Sequence, residues 1–137
     1  MKTLVVEDDF VSRRLLQRFL QSYGEVDIAV NGTEALAAFE MAIDDGAPYD
    51  LVCLDILLPR PDGIEVLKKI RAIEKEHALS DGCKVVMTSA LNDAKNIMGS
   101  FWKGAEAYLV KPIGRSALVR ELENLKLIPE ANTDNAG

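Results

Sequence analysis

Five short apolar runs, at residues 2–6, 26–30, 50–54, 83–88 and 106–110, alternate along the chain with segments of helical period. Runs of that length read as buried strands, and strands separated by amphipathic helices read as repeated βα units around a parallel sheet. Right-handed crossovers then lay helices on both faces of the sheet. The period predicts a first helix with Val11, Leu15, Phe19 and Leu20 on its apolar stripe and Arg13, Arg14, Gln17 and Gln21 elsewhere. A second helix starts near Thr33, turns Leu36, Phe39 and Ile43 inward, and ends in the turn Asp44 to Pro48. The third takes Asp62 as its N-cap and carries Ile64, Leu67 and Ile70, with the charged run Lys68 to Lys75 as a solvated face. Ala94, Ile97, Met98, Phe101 and Trp102 form the stripe of a fourth, and Leu118, Leu122 and Leu125 that of a fifth.

Charged residues stand where the strands should end. Glu7 and Asp8 follow Leu4-Val5-Val6, Asp55 follows Leu51-Val52-Cys53-Leu54, and Lys111 follows Tyr108-Leu109-Val110. In an open parallel sheet the carboxyl ends of the strands share one edge, and ligands bind in the crevice there. Three carboxylates brought together repel one another unless a cation joins them or their pKa values rise. An all-oxygen donor set suits a hard cation such as Mg²⁺, which completes its shell with water or phosphate oxygens. Lys111 offers a compact positive charge to a phosphoryl group or to a carboxylate. The chemistry this implies is phosphoryl transfer, with one carboxylate as nucleophile.

The 137 residues suit one domain with a substantial core. They leave no room for a second, effector domain, so a stand-alone unit over 1–127 is expected, with 128–137 as a short, polar, disordered tail. A net charge of -6 and the lack of a basic module disfavour direct nucleic-acid binding. No run is long enough to insert in a membrane and no signal-peptide pattern opens the chain, which points to the cytoplasm. Cys53 and Cys83, in or beside predicted strands, are expected to be buried, inert thiols rather than a disulfide or nucleophiles. His77 is the only histidine, and no zinc-ligand spacing is present.

From Lys2 to about Leu125 the motifs resemble the receiver domains of two-component response regulators. They are Val5-Val6-Glu7-Asp8-Asp9, the segment Asp55-Ile56-Leu57-Leu58-Pro59-Arg60-Pro61-Asp62-Gly63, Val86-Met87-Thr88-Ser89-Ala90, and Tyr108-Leu109-Val110-Lys111-Pro112. Each is common alone; in this order and spacing the set is specific. The resemblance implies a doubly wound five-stranded parallel sheet of order 2-1-3-4-5 with five helices, a flavodoxin-like α/β fold. It implies Asp55 as the phosphoacceptor, Mg²⁺ held directly by Asp8, Asp55 and the backbone carbonyl of Leu57 and through water by Glu7, and Lys111 paired with the phosphoryl group. Asp9 is the spare acid, suited to the first turn of the helix that follows. Ser89, rather than Thr88 on the opposite strand face, aligns with the hydroxyl that bonds a phosphoryl oxygen. Tyr108 aligns with the aromatic that turns inward on activation, and the Lys111-Pro112 bond with a cis peptide.

A histidine kinase or histidine phosphotransfer protein would then donate the phosphoryl group, and the face of the fourth helix, fifth strand and fifth helix would control a target protein in trans. Homodimerisation through that face, common in the family, is left open. Gly99 in the fourth helix would loosen it, or simply accommodate close packing. Leu57 and Leu91, two residues past the acceptor and the serine, bring no polar group to orient an attacking water, so slow autodephosphorylation is expected. Three other readings compete. An Asp-nucleophile phosphatase would want a second acid where Leu57 stands. A flavin-binding protein would want glycine- and hydroxyl-rich phosphate loops in place of acids. A phosphorylation-independent scaffold of the same fold would not need Glu7, Asp8, Asp55, Ser89 and Lys111 together.

Overall fold

A computed structural model of the chain describes residues 1–79, 81–90 and 104–130. Five strands form one parallel sheet, β1 (Lys2–Val6), β2 (Glu25–Ala29), β3 (Leu51–Asp55), β4 (Lys84–Ala90) and β5 (Ala107–Lys111), in the order β2-β1-β3-β4-β5. Four helices are described: α1 (Phe10–Leu20), α2 (Gly32–Asp44), α3 (Gly63–Glu76) and α4 (Arg115–Asn124), with a 3₁₀ turn at Gln21–Tyr23. The helix expected over 94–102, with Gly99 and Trp102, lies outside the described residues, as does Leu91. α4 is the fifth helix of the sequence pattern.

Strand alternation sorts the core into two layers. Leu4, Val6, Val52, Leu54, Val85 and Met87 face α2 and α3, where they meet Phe39, Val66, Leu67 and Ile70. Val5, Leu51, Cys53, Val86 and Ala107 face α1 and α4, where they meet Leu16, Leu20, Leu118 and Leu122. β3 is buried at all five positions because both of its faces are covered, as expected of a central strand. Cys53 and Cys83 are free and buried, and burial pushes the Cys53 thiol up to about 12. No helix among the described residues is long and apolar enough to cross a membrane.

Several sequence expectations are corrected. β3 and β5 end one residue later than their apolar runs, taking in Asp55 and Lys111, because ladder bonding does not depend on side-chain polarity. Asp50 drops out of β3, its carboxylate accepting from the Lys2 amide at 2.7 Å. On α1 the buried residues are Leu16 and Leu20; Leu15 and Phe19 are only partly covered and Val11 is 64% exposed. The stripe is rotated because adjacent apolar pairs, Leu15-Leu16 and Phe19-Leu20, admit two faces. On α2 the small residues Ala35 and Ala42 sit beside Phe39 against the sheet, with Leu36 and Ile43 at the margin. The charged run of α3 is not wholly solvated either, since Glu74 is 6% exposed.

Three of the four described helices, α1, α2 and α3, are capped by side chains where they begin at the carboxyl edge, whereas α4 starts from Gly114 without one. Asp9 accepts from Ser12 N at 2.9 Å, Asn31 from Glu34 N at 2.8 Å, and Asp62 forms a reciprocal capping box with Glu65. Each such cap stabilises by about 1 kcal/mol and fixes where the preceding loop ends. At the other ends, three helices share one stop. Gly46, Ala78 and Lys126 take left-handed φ values of 73°, 54° and 60°. Their amides bond Ile43, Lys75 and Glu123 carbonyls, and the next amides bond those of Ala42, Glu74 and Leu122. Only glycine adopts that φ without a Cβ penalty.

Ala78→Gly and Lys126→Gly should therefore each raise stability by about 0.5–1 kcal/mol, and Gly46→Ala should lower it by about 1 kcal/mol. Gly46 is the clean control, because an added Cβ there meets nothing within 4 Å. Urea midpoints at constant slope measure all three.

Candidate functional site

Three strand ends meet at the carboxyl edge. β1 and β3 are neighbours in register, Val6 beside Leu54, so Glu7 and Asp8 emerge next to Asp55. Carboxylate oxygens of Glu7, Asp8 and Asp55 all lie within 4.8 Å of one another. Glu7 and Asp55 are buried, whereas Asp8 is exposed at the mouth. β5 lies farther out, yet the long Lys111 side chain spans the gap. Its Nζ sits 2.6 Å from Glu7 Oε1 and 3.1 Å from Asp55 Oδ2.

Backbone and side-chain bonds hold these carboxylates in place. The Glu7 amide donates to the Ala29 carbonyl at 3.1 Å, and Glu7 Oε2 accepts from Asp9 N at 3.1 Å. Asp55 Oδ1 accepts from Leu57 N at 3.1 Å, which turns the start of the loop after β3 back over the carboxylate. Ile56 N donates to the Thr88 carbonyl and Gly63 N to the Ile56 carbonyl, each at 2.9 Å. Gly63 has a steric reason. A Cβ on it would lie 2.3 Å from the Asp55 carbonyl oxygen, so only glycine lets α3 start this close to Asp55.

Electrostatics follow from that crowding. Burial is the larger influence on Glu7 and, helped by Asp55, pushes its carboxyl up to about 7 against the opposing pull of Lys111. On Lys111, burial pulls the pKa down but is outweighed by the pairing with Glu7 and Asp55, so its pKa is raised and the ammonium stays charged. Asp9 is the N-cap of α1, and the bond from Ser12 N holds its carboxyl below the usual range.

The remaining sequence candidates fall at the edge of this cluster. Leu57 lies in the loop after β3 with its side chain 54% exposed. β4 places Thr88 beside Asp55 in the ladder and Ser89 one residue beyond. Both are buried, and the Ser89 hydroxyl donates to the Ala90 carbonyl at 3.3 Å. By alternation Ser89 shares the sheet face of Met87, the layer on which Tyr108 packs, and Thr88 shares the face of Val86. The serine, not the threonine, is on the tyrosine's side. Lys111-Pro112 is cis, as the resemblance implies, and so is Arg60-Pro61, which is not anticipated from the residues.

Two features escaped the sequence reading. Arg13, assigned to the solvent side of α1, donates to the carbonyls of Glu7 and Asp8 at 3.2 and 3.4 Å and so braces the acid pair from behind. Val11, expected on the buried stripe, is exposed beside the site together with Phe10, which the sequence pattern did not place.

Comparison with known proteins agrees with this architecture. The response regulator receiver domain family matches residues 3–123. The transcriptional regulatory protein ResD of Bacillus subtilis is 35% identical over 125 residues, covering 90% of this chain and 47% of that protein. The hybrid signal transduction histidine kinase L of Dictyostelium discoideum is 34% identical over 118 residues, covering 85% of this chain and 7% of that one. The chain thus spans less than half the length of either relative. Among solved structures, the response regulator protein TrrA of Thermotoga maritima, in complex with Mg²⁺ and a beryllium fluoride, superposes with a TM-score of 0.70 at 34% identity, covering 90% and 97% of the two chains. With the strand order, the acid cluster and the lysine in place, the chain belongs to the response regulator receiver domain family.

Proposed function

We propose that Asp55 accepts a phosphoryl group from a phosphohistidine of a histidine kinase or histidine phosphotransfer protein, and that the altered surface controls a partner protein in trans. The observation that carries this is the Lys111 ammonium held between the Glu7 and Asp55 carboxylates, with the exposed Asp8 completing an all-oxygen pocket. A carboxylate oxygen of Asp55 attacks phosphorus, the P–N bond to imidazole breaks, and an acyl phosphate forms on the aspartate. Lys111 balances the charge of the incoming group, and Ser89 is the hydroxyl proposed to bond it. The protein serves as a phosphoacceptor in signalling rather than as an enzyme with a separate substrate.

The donor set fits Mg²⁺, since carboxylates of Glu7, Asp8 and Asp55 with the Leu57 carbonyl are hard oxygen ligands. When bound, the ion supplies positive charge that offsets the repulsion between the carboxylates and the transferred group. The related Thermotoga protein in complex with Mg²⁺ and a beryllium fluoride supports the same pairing here. That the donor is a protein is supported by the rim of the site. Five of the six exposed large hydrophobic side chains among the described residues, Phe10, Val11, Val30, Leu57 and Val110, lie at the carboxyl edge of the sheet, Met41 being the exception. Such a grouping marks a contact surface. A cytoplasmic location accords with this role and with free, buried thiols.

Intact-mass analysis after incubation with acetyl phosphate and Mg²⁺ tests the proposal. A single phosphoryl adduct should form, be absent in Asp55→Asn and with chelator, and decay over minutes or longer, because the Leu57 side chain has no polar group to orient water. No adduct on the folded protein would favour the scaffold reading, and decay within seconds would contradict the slow loss.

Glu7 gives the pH dependence of metal binding. With its folded pKa raised above the ordinary 4.5, the proton favours the fold most below that value, and this contribution is lost as pH rises to about 7. A cation held near Glu7 through water favours its ionised form and so competes with that proton. Mg²⁺ affinity should therefore fall by up to about tenfold per pH unit below 7, with proton release on binding, and level off above it. Calorimetric titration in buffers of different ionisation enthalpy reads both; a pH-independent affinity between 5.5 and 7.5, roughly, would contradict the assignment.

A further inference from the structure

At the sheet edge opposite Asp55, one side chain commits all of its donors. Arg71, in the middle of α3, donates through Nε and Nη2 to the Gly104 carbonyl at 2.9 and 2.6 Å. Its Nη1 donates to Glu74 Oε1 and to the Cys83 carbonyl, each at 2.8 Å, and Nη2 also reaches the Glu106 carboxylate at 3.0 and 3.1 Å. A guanidinium carries five N–H groups in a rigid fork, and each finds an acceptor here. The two carboxylates pass the connection on. Glu74 Oε2 accepts from Cys83 N at 2.7 Å, and Glu106 Oε2 from Val85 N at 2.6 Å.

Small residues make the approach feasible. A Cβ on Gly82 would lie 2.7 Å from Glu74 Oε1, and Gly104 has a φ of 100°, where side chains are strained. The chain segments that enter β4 and β5 are thereby both fastened to α3. The same helix begins at Gly63 against the Asp55 carbonyl. Eight residues of helix, about 12 Å, separate that contact from Arg71. Acceptor and fork thus share one rigid element.

The consequence falls on β5. It is an edge strand, paired only with β4, and it carries both Tyr108 and Lys111. A charge arriving on Asp55 acts on β5 through Lys111 at its carboxyl end. With a free base, the strand could answer by sliding or tilting as a body. With the base held by Arg71 and Glu106, the backbone of Tyr108, two residues past Glu106 and paired with Met87, is held with it. Displacement is thus confined to the Ser89 and Val110 end, and Tyr108 answers through its side chain, which shares a face with Ser89. We infer that Arg71 is a positioning residue of the receiver switch, anchoring the base of β5 so that the charge on Asp55 is expressed as rearrangement around Ser89 and Tyr108. The inference rests on the phosphoacceptor reading given above.

Backbone amide shifts of the full chain, followed by NMR as Mg²⁺ and beryllofluoride are added, test it in wild type, Arg71→Lys and Glu106→Gln. In wild type the change should centre on Ser89, Tyr108 and Val110. Both variants should still bind beryllofluoride at Asp55 with a midpoint within about threefold of wild type, while the Tyr108 shift falls at least about twofold and changes spread to Val85 and Ala107. A folded variant with the wild-type pattern overturns the inference, as does one that has lost beryllofluoride binding. If Arg71→Lys does not fold, Glu106→Gln decides, since it keeps an oxygen for the Val85 amide. Absence of any shift in wild type would instead contradict the phosphoacceptor reading.

Discussion

The Lys111 ammonium, between Glu7 and Asp55, is the contact on which the rest of the site depends. Two buried carboxylates and a third at the mouth cannot share one sheet edge without a counter-charge, and this lysine is the cation that reaches them. Its position constrains the sheet. β5 must run parallel to β4 in the register that pairs Ala90 with Lys111, and β1 must adjoin β3 so that Glu7 faces Asp55. The strand order β2-β1-β3-β4-β5 satisfies both requirements.

The balance struck there is incomplete by design. One ammonium faces three acids, and the Glu7 carboxyl responds by holding its proton up to about pH 7. A pocket in that state favours more positive charge; on the phosphoacceptor proposal a hard divalent cation would supply it and would in turn make a phosphoryl group acceptable on Asp55. The packing around the site resists relief by movement. Gly63 packs against the Asp55 carbonyl, Leu57 N holds one Asp55 oxygen, and Arg13 holds the backbone of the acid pair. On the phosphoacceptor proposal, change would therefore be directed outward, toward the Ser89 and Tyr108 face.

Much of this was legible in the sequence, and the reason is local. Glu7, Asp55 and Lys111 interrupt apolar runs, so the polarity change that ends a buried strand also marks the site. Asp62 as the N-cap of α3 was legible because Glu65 stands three residues on, completing a capping box. What stayed hidden depends on contacts between distant segments. Leu15 and Leu16 are equally apolar, and only the sheet decides that Leu16 is the one buried. Arg71 and Glu74 look like solvent-facing charges of an amphipathic helix until Glu106, 35 residues from Arg71, and the Cys83 amide are brought against them. Arg13 reads as surface for the same reason, since its partners are backbone carbonyls that no residue identity reveals.

Urea unfolding of wild type and Asp55→Asn, each with chelator and with saturating Mg²⁺, bears most directly on the claim that unrelieved carboxylate repulsion defines the site. Without metal, Asp55→Asn should be the more stable protein by on the order of 1 kcal/mol, because it removes a like charge while keeping an oxygen for Leu57 N. Mg²⁺ should then raise the wild-type midpoint and leave the variant nearly unchanged. A variant less stable than wild type in chelator, with Mg²⁺ shifting neither midpoint, would show that Asp55 is held by structural pairing alone and that the pocket is not built for a cation.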